Sequence, residues 1–154
     1  LDCPLVGDTV RSVASQTLDE GALEILVIGR DDADLVPELE GVRFLETPGP
    51  ISAGAARNLG VTSAATDRIL FTDADCRPAG DWAELLLQAL DSSPVAGGSV
   101  RFDLEGNMCA VADNIASFNE LLSDRPADHN TDGPLVRLNQ SVTIEAWKRV
   151  GPFD

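Results

Sequence analysis

At 154 residues with 44% apolar side chains and no apolar run of membrane-spanning length, the chain suits a single globular domain around one core. A formal net charge of −15 repels nucleic acid and anionic membrane surfaces at long range, which excludes both as partners through general electrostatics. Three widely spaced cysteines (Cys3, Cys76, Cys109) with no CxxC pairing argue against a disulfide framework or a zinc site, and fit a reducing compartment.

No charged-then-apolar signal segment opens the chain. Leu5–Leu18 carries apolar residues near helical spacing, with Asp8 and Thr9 as early caps. Leu23–Ile28 is a continuous apolar run of strand length between Gly21 and Gly29, the pattern of a strand covered on both faces. An acidic stretch broken by Pro37 follows, and Val42–Leu45 reads as a shorter strand. Pro48-Gly49-Pro50 is a loop. Ser52–Ala65 reads as a small-residue helix carrying Arg57 and Asn58, although Gly54 and Gly60 weaken it. Arg68–Thr72 is the next strand, and Asp81–Leu90 a helix with Asp81 as N-cap.

Beyond that, Val95–Phe102 is expected as a strand, Ala110–Leu122 as a helix and Leu135–Leu138 as a short strand. Ile144–Val150 reads as a short helix stopped by Gly151-Pro152. Strand alternating with helix points to an α/β fold around a mainly parallel sheet. In such sheets ligands bind beyond the C-terminal strand ends. The loops after Ile28 and after Thr72 are therefore the places for a site, and both are acidic.

Arg68–Cys76 is the most informative stretch, an apolar strand ending in Asp73-Ala74-Asp75. With 17 Asp in the chain, about two Asp-x-Asp triplets arise by chance. Asp32-Ala33-Asp34 is the other one, so position rather than pattern singles out Asp73 and Asp75. Were strand geometry to persist, both carboxylates would point the same way. Their mutual repulsion then calls for a cation, such as a divalent ion carrying a phosphorylated ligand. In so acidic a chain, with ten Arg and one Lys, an anionic ligand needs local help from Arg or metal.

Several segments resemble, in order, the family 2 glycosyltransferases. They are Ser12-Val13-Ala14-Ser15-Gln16-Thr17, Glu24–Ile28 with its acidic loop, and Gly54-Ala55-Ala56-Arg57-Asn58-Leu59-Gly60. Ile69–Cys76, Gly97-Gly98, Leu138-Asn139 and Val150-Gly151-Pro152-Phe153-Asp154 complete the set. The resemblance covers almost the whole chain and implies the GT-A fold, a Rossmann-like, mainly parallel sheet flanked by helices, here as one domain over residues 1–154.

It further implies a nucleotide-diphospho-sugar donor, Mn²⁺ or Mg²⁺, and direct displacement with inversion at the sugar. Asp73 and Asp75 would hold the metal chelated by the diphosphate, Asp73 reaching the donor as well. Arg57, Asp31 and Asp32 would surround the nucleotide. Where the family has two aspartates directly after the first of these strands, this chain has Gly29 and Arg30. Asp31 and Asp32 come one or two places late, which allows a donor other than a uridine nucleotide.

The resemblance also implies an opening strand before Leu1 and, beyond Asp154, an acidic pair containing the catalytic base. No residue here is assigned that role, so the chain is expected to be incomplete at both ends. A cytoplasmic face is implied because nucleotide sugars are made there, with any membrane association through segments not present. Two other readings stand beside this one. A sugar nucleotidyltransferase would need a Gly-rich basic loop after its first strand. A degenerate, non-catalytic GT-A-like module would account for Gly29-Arg30 and the absent base. Trp82 and Trp147 fit helix packing, Cys76 a core edge, and Asp124–Gly133 with His129 a polar loop, which by resemblance faces an acceptor of unknown chemistry.

Overall fold

A computed structural model describes residues 3–19, 21–101 and 139–154. The expected helix at 110–122, the strand at 135–138 and the loop with Asp128 and His129 lie outside the described residues, as does Cys109. In chain order the elements are α1 (Val6–Ala14), β1 (Ile25–Gly29), β2 (Val42–Glu46), α2 (Ala53–Ser63), β3 (Arg68–Thr72), α3 (Trp82–Ser92), β4 (Val95–Gly97), β5 (Asn139–Thr143) and α4 (Ile144–Val150). Among the described residues no helix is long and apolar enough to cross a membrane.

The α/β class is as the sequence leads one to expect, but the strand pairing is mixed. β1 and β2 run parallel, Val27 opposite Phe44. The other sheet has the order β3-β5-β4 and is antiparallel throughout, with Thr72 opposite Asn139 and Ala96 opposite Ser141. Asn139–Thr143 was not expected as a strand. Asn139-Gln140-Ser141 is a polar run whose strand state comes from two neighbours rather than from its own propensity. Ser141 is fully buried between them and reaches the Ala96 carbonyl at 3.5 Å. β4 is shorter than expected, ending at Gly97.

Among the described residues two apolar cores result. Val6 and Val10 of α1 pack on Val27, joined by Leu35, Val36, Phe44 and Ala74. Val61 of α2, Phe71, Val142 and Ala146 form the second, with Trp147 and Phe153 against it. β1 and β3 do not pair with each other. Between them lies a largely apolar cavity of about 360 Å³, lined by Ile25, Val27, Ile69, Phe71, Arg57 and Asp73 among others. The split sheet thus leaves a space whose polar wall is made by Arg57, Asp73 and a few neighbours.

The two glycines that weaken α2 as a helix are what let it pack. A Cβ on Gly60 would stand 3.0 Å from Ile28 Cδ1, and one on Gly54 would overlap the Asp154 carbonyl. α2 begins close to where it was expected and is capped by Ser52, whose Oγ accepts from the Ala55 amide at 3.1 Å. The capping expected of Asp81 at α3 is not seen: Asp81 occupies the N-cap but makes no side-chain capping bond. The Ala83 amide donates to Gln16 Oε1 instead, at 2.9 Å. Neither Asp8 nor Thr9 caps α1, whose N-cap is Leu5. α4 is capped by Thr143 and closed by Gly151 at φ 105°, a left-handed value open to glycine.

Candidate functional site

β3 ends at Thr72, and Asp73-Ala74-Asp75-Cys76 forms a turn closed by the Cys76 amide on the Asp73 carbonyl at 3.2 Å. Strand geometry therefore does not persist through the acidic triplet, and the same-face argument for Asp73 and Asp75 does not apply. The turn, not alternation, places them. Asp75 is exposed and Asp73 is half-buried.

Arg57 reaches Asp73 in the wall of the cavity, with Nη2 donating to Oδ1 at 2.8 Å. Its side chain is only 14% exposed, against 44% for Asp73. A largely buried guanidinium is costly without a carboxylate partner, so this pair orders both side chains. The structure brings Arg57 and Asp73 together as the sequence reading grouped them, with Asp75 two residues on in the same turn.

The loop after β1 behaves differently. Asp31 turns inward on its own loop, accepting from the Leu35 amide at 2.9 Å and the Val36 amide at 2.7 Å. Those two amide bonds hold its carboxyl below the ordinary carboxylate range. Asp32 is paired with Arg30 at 2.9 Å, both exposed. Both oxygens of Asp31 are thus engaged in shaping the loop, a task the motif comparison did not foresee. Asp34 takes a positive φ of 54°, consistent with a tight turn there.

Residues outside the expected site hold it in place. Thr9 Oγ1 lies 2.8 Å from the Ala74 carbonyl and 2.7 Å from that of Cys76. Gln16 Nε2 donates to the Ala79 carbonyl at 2.8 Å while its oxygen caps α3. The Thr17 amide donates to the Gly80 carbonyl at 2.9 Å. Ser12-x-x-x-Gln16-Thr17 is therefore a brace between the end of α1 and the loop beyond the acidic turn. Its signal in the sequence was the motif itself; its role needed the fold.

Asn58 makes a two-way clamp on Phe153, donating to its carbonyl at 2.8 Å and accepting from its amide at 2.9 Å. The Phe153 ring meets Phe71 edge-on at 5.3 Å, seating residues 151–154 against α2 and β3. On the opposite flank Asn139 accepts from Trp82 Nε1 at 2.9 Å and donates to the Ser99 carbonyl at 2.8 Å. Trp82 thus packs as a helix residue while its indole N–H ties α3 to the start of β5.

Burial pushes the Cys76 thiol above its ordinary value, with the neighbouring aspartates adding to the rise. That direction disfavours the thiolate, the nucleophilic form. Among the described residues no group of three or more His, Cys, Asp or Glu side chains is placed to hold a metal ion. Two carboxylates nonetheless suit Mg²⁺ or Mn²⁺ when phosphate oxygens and water complete the coordination, the usual arrangement at diphosphate sites. Asp73 and Asp75 are carboxylates of that kind, two residues apart in one turn, Asp73 with one oxygen on Arg57.

The family model described as glycosyl transferase family 2 matches residues 3–136. The chain belongs to this family. In fold, this family 2 glycosyltransferase chain is similar to a mannosyltransferase, PcManGT from Pyrobaculum calidifontis, solved in complex with GDP-Man and Mn²⁺. The TM-score is 0.66 at 16% identity, over 99% of this chain and 44% of that one. The likeness is one of fold, consistent with the GT-A expectation, and the chain spans less than half the length of that protein. No curated protein matches the family 2 chain.

Proposed function

We propose that this chain binds a nucleotide-diphospho-sugar and transfers its sugar to an acceptor with the help of Mn²⁺ or Mg²⁺. The observation that carries the reading is the Arg57–Asp73 pair in the wall of the cavity, with Asp75 two residues on in the turn after β3. Family membership supports the reaction class, and the fold neighbour's GDP-Man and Mn²⁺ support the donor and metal classes.

Asp73 and Asp75 would hold the cation, which when bound offsets charge developing on the diphosphate leaving group. Arg57 lies within reach of the same place and brings a guanidinium, paired with Asp73, to the wall of the cavity. Asp31 acts on the nucleotide side by holding the loop after β1 in shape, and Asp32 lies at its exposed rim. Inversion at the sugar is part of the proposal as the family habit.

Calorimetric titration with GDP, UDP and dTDP, each with and without Mn²⁺, tests this. Metal-dependent binding of one of them, lost in Asp75→Ala, supports it. A folded protein that binds none of the three overturns it in favour of a non-catalytic module.

A further inference from the structure

Thr9 is a buried hydroxyl that reaches beyond the helix it belongs to. It is 5% exposed, and its Oγ1 approaches the carbonyls of Ala74 and Cys76 more closely than the Leu5 carbonyl of its own helix, at 3.3 Å. A hydroxyl has one proton, so it satisfies one carbonyl at a time. Cys3 Sγ, 3.5 Å from the Ala74 carbonyl, supplies a second donor and leaves Thr9 to Cys76. These two carbonyls flank Asp75 on either side.

We propose that Thr9 is a positioning residue for the acidic turn, holding the Cys76 carbonyl just after Asp75, with Cys3 on the Ala74 carbonyl before it, so that the Asp75 carboxylate faces the bound cation and diphosphate. This rests on the donor-binding function proposed above. Two further ties from the same helix region work in the same direction. Asp8 pairs with Arg77 at 2.8 Å, immediately after the turn, and Gln16 holds Ala79. The loop from Ala74 to Ala83 is thereby tied to α1 and the residues that flank it, and Thr9 is a buried tie among them. Exposed pairs such as Asp8–Arg77 contribute little by themselves, so the hydroxyl is the member whose loss the turn should register.

Thr9→Val keeps the shape and removes the proton. Two readouts are taken on the protein: amide hydrogen exchange at Cys76, and affinity for Mn²⁺ with GDP, UDP and dTDP in turn. The expected result is roughly tenfold faster exchange at Cys76 with Val27 unchanged, since only the turn is released. Nucleotide affinity in Mn²⁺ should fall roughly ten- to a hundred-fold, the usual cost of losing a group that orients a metal ligand. Thr9→Ser, which restores the hydroxyl, should recover both.

Unchanged exchange at Cys76 overturns the clamp whether or not any nucleotide binds. Faster exchange with undiminished affinity overturns the positioning role, as does a Ser variant no better than Val. A Val variant that unfolds outright also overturns it, because Thr9 then serves the core at large. Absence of binding by the wild-type protein defeats the donor reading and the positioning role with it, and the exchange data then still report separately on the clamp.

Discussion

Arg57 Nη2 and Asp73 Oδ1 stand 2.8 Å apart, the guanidinium nearly buried under α2 and the carboxylate at the open end of β3. The pair joins a helix to a strand end in the wall of the cavity. It keeps a positive charge fixed beside the place where a diphosphate would bring negative charge. Replacing Arg57 by Ala leaves Asp73 without this partner and removes that charge. A loss of about 1–3 kcal/mol in stability is expected from denaturant titration. Metal-dependent nucleotide affinity should fall at least about tenfold, and Arg57→Lys should recover it only in part.

Asp75 is exposed and makes no ion pair among the described residues, so its removal should cost the fold almost nothing. Asp75→Ala is expected to unfold within about 0.5 kcal/mol of the wild type. Loss of Mn²⁺-dependent binding against that unchanged stability is the signature of a ligand residue. Equal losses of both would instead mark Asp75 as a structural residue.

The Asn58–Phe153 clamp spans 95 positions of sequence and is closed at both atoms of the amide. Asn58→Ala leaves the Phe153 amide and carbonyl without those partners and should destabilise by about 1–3 kcal/mol. Gly54→Ala should disturb the same segment from the other side, because its methyl group would overlap the Asp154 carbonyl. Chemical denaturation of the two single variants and the double variant tests the shared target. Their effects should combine to less than the sum of the two.

Asp31 titrates below the ordinary carboxylate range because the Leu35 and Val36 amides bind its charged form. A depressed folded-state value means that its contribution is fully present above the unfolded value of about 3.9, and is lost as pH falls through the folded one. Asp8, lowered by its bond to Arg11 and by the nearby charge of Arg77, acts in the same direction. Asp31→Asn should therefore flatten part of the fall in stability below about pH 4, seen as a smaller pH dependence of Tm. The same substitution should leave the acid-range slope due to Asp8 in place.

Hydrophobic runs and turn residues made most elements legible in advance. Leu23–Ile28 and Arg68–Thr72 carry strong local apolar signals, the small-residue helix at Ser52–Ala65 a weaker one, and all three formed close to where they were read. The acidic triplet, Arg57 and the Ser12-Gln16-Thr17 motif were likewise visible as residues worth naming. Their roles were less so. Asp31, grouped with the nucleotide, has both oxygens on its own loop, and Asp81, in the capping position, leaves the bonding to Gln16.

The sequence by itself determined the α/β class, the strand that ends at Thr72 and the family motifs, because these depend on neighbours a few positions away. Only the tertiary structure decided that Asn139–Thr143 becomes a strand between β3 and β4. It alone decided that Arg57 meets Asp73, that Thr9 holds the turn around Asp75 and that Asn58 holds Phe153. These contacts join residues 16 to 95 positions apart. Polar side chains choose such partners by which donor or acceptor the packed core brings within 3 Å, and no local periodicity encodes that choice.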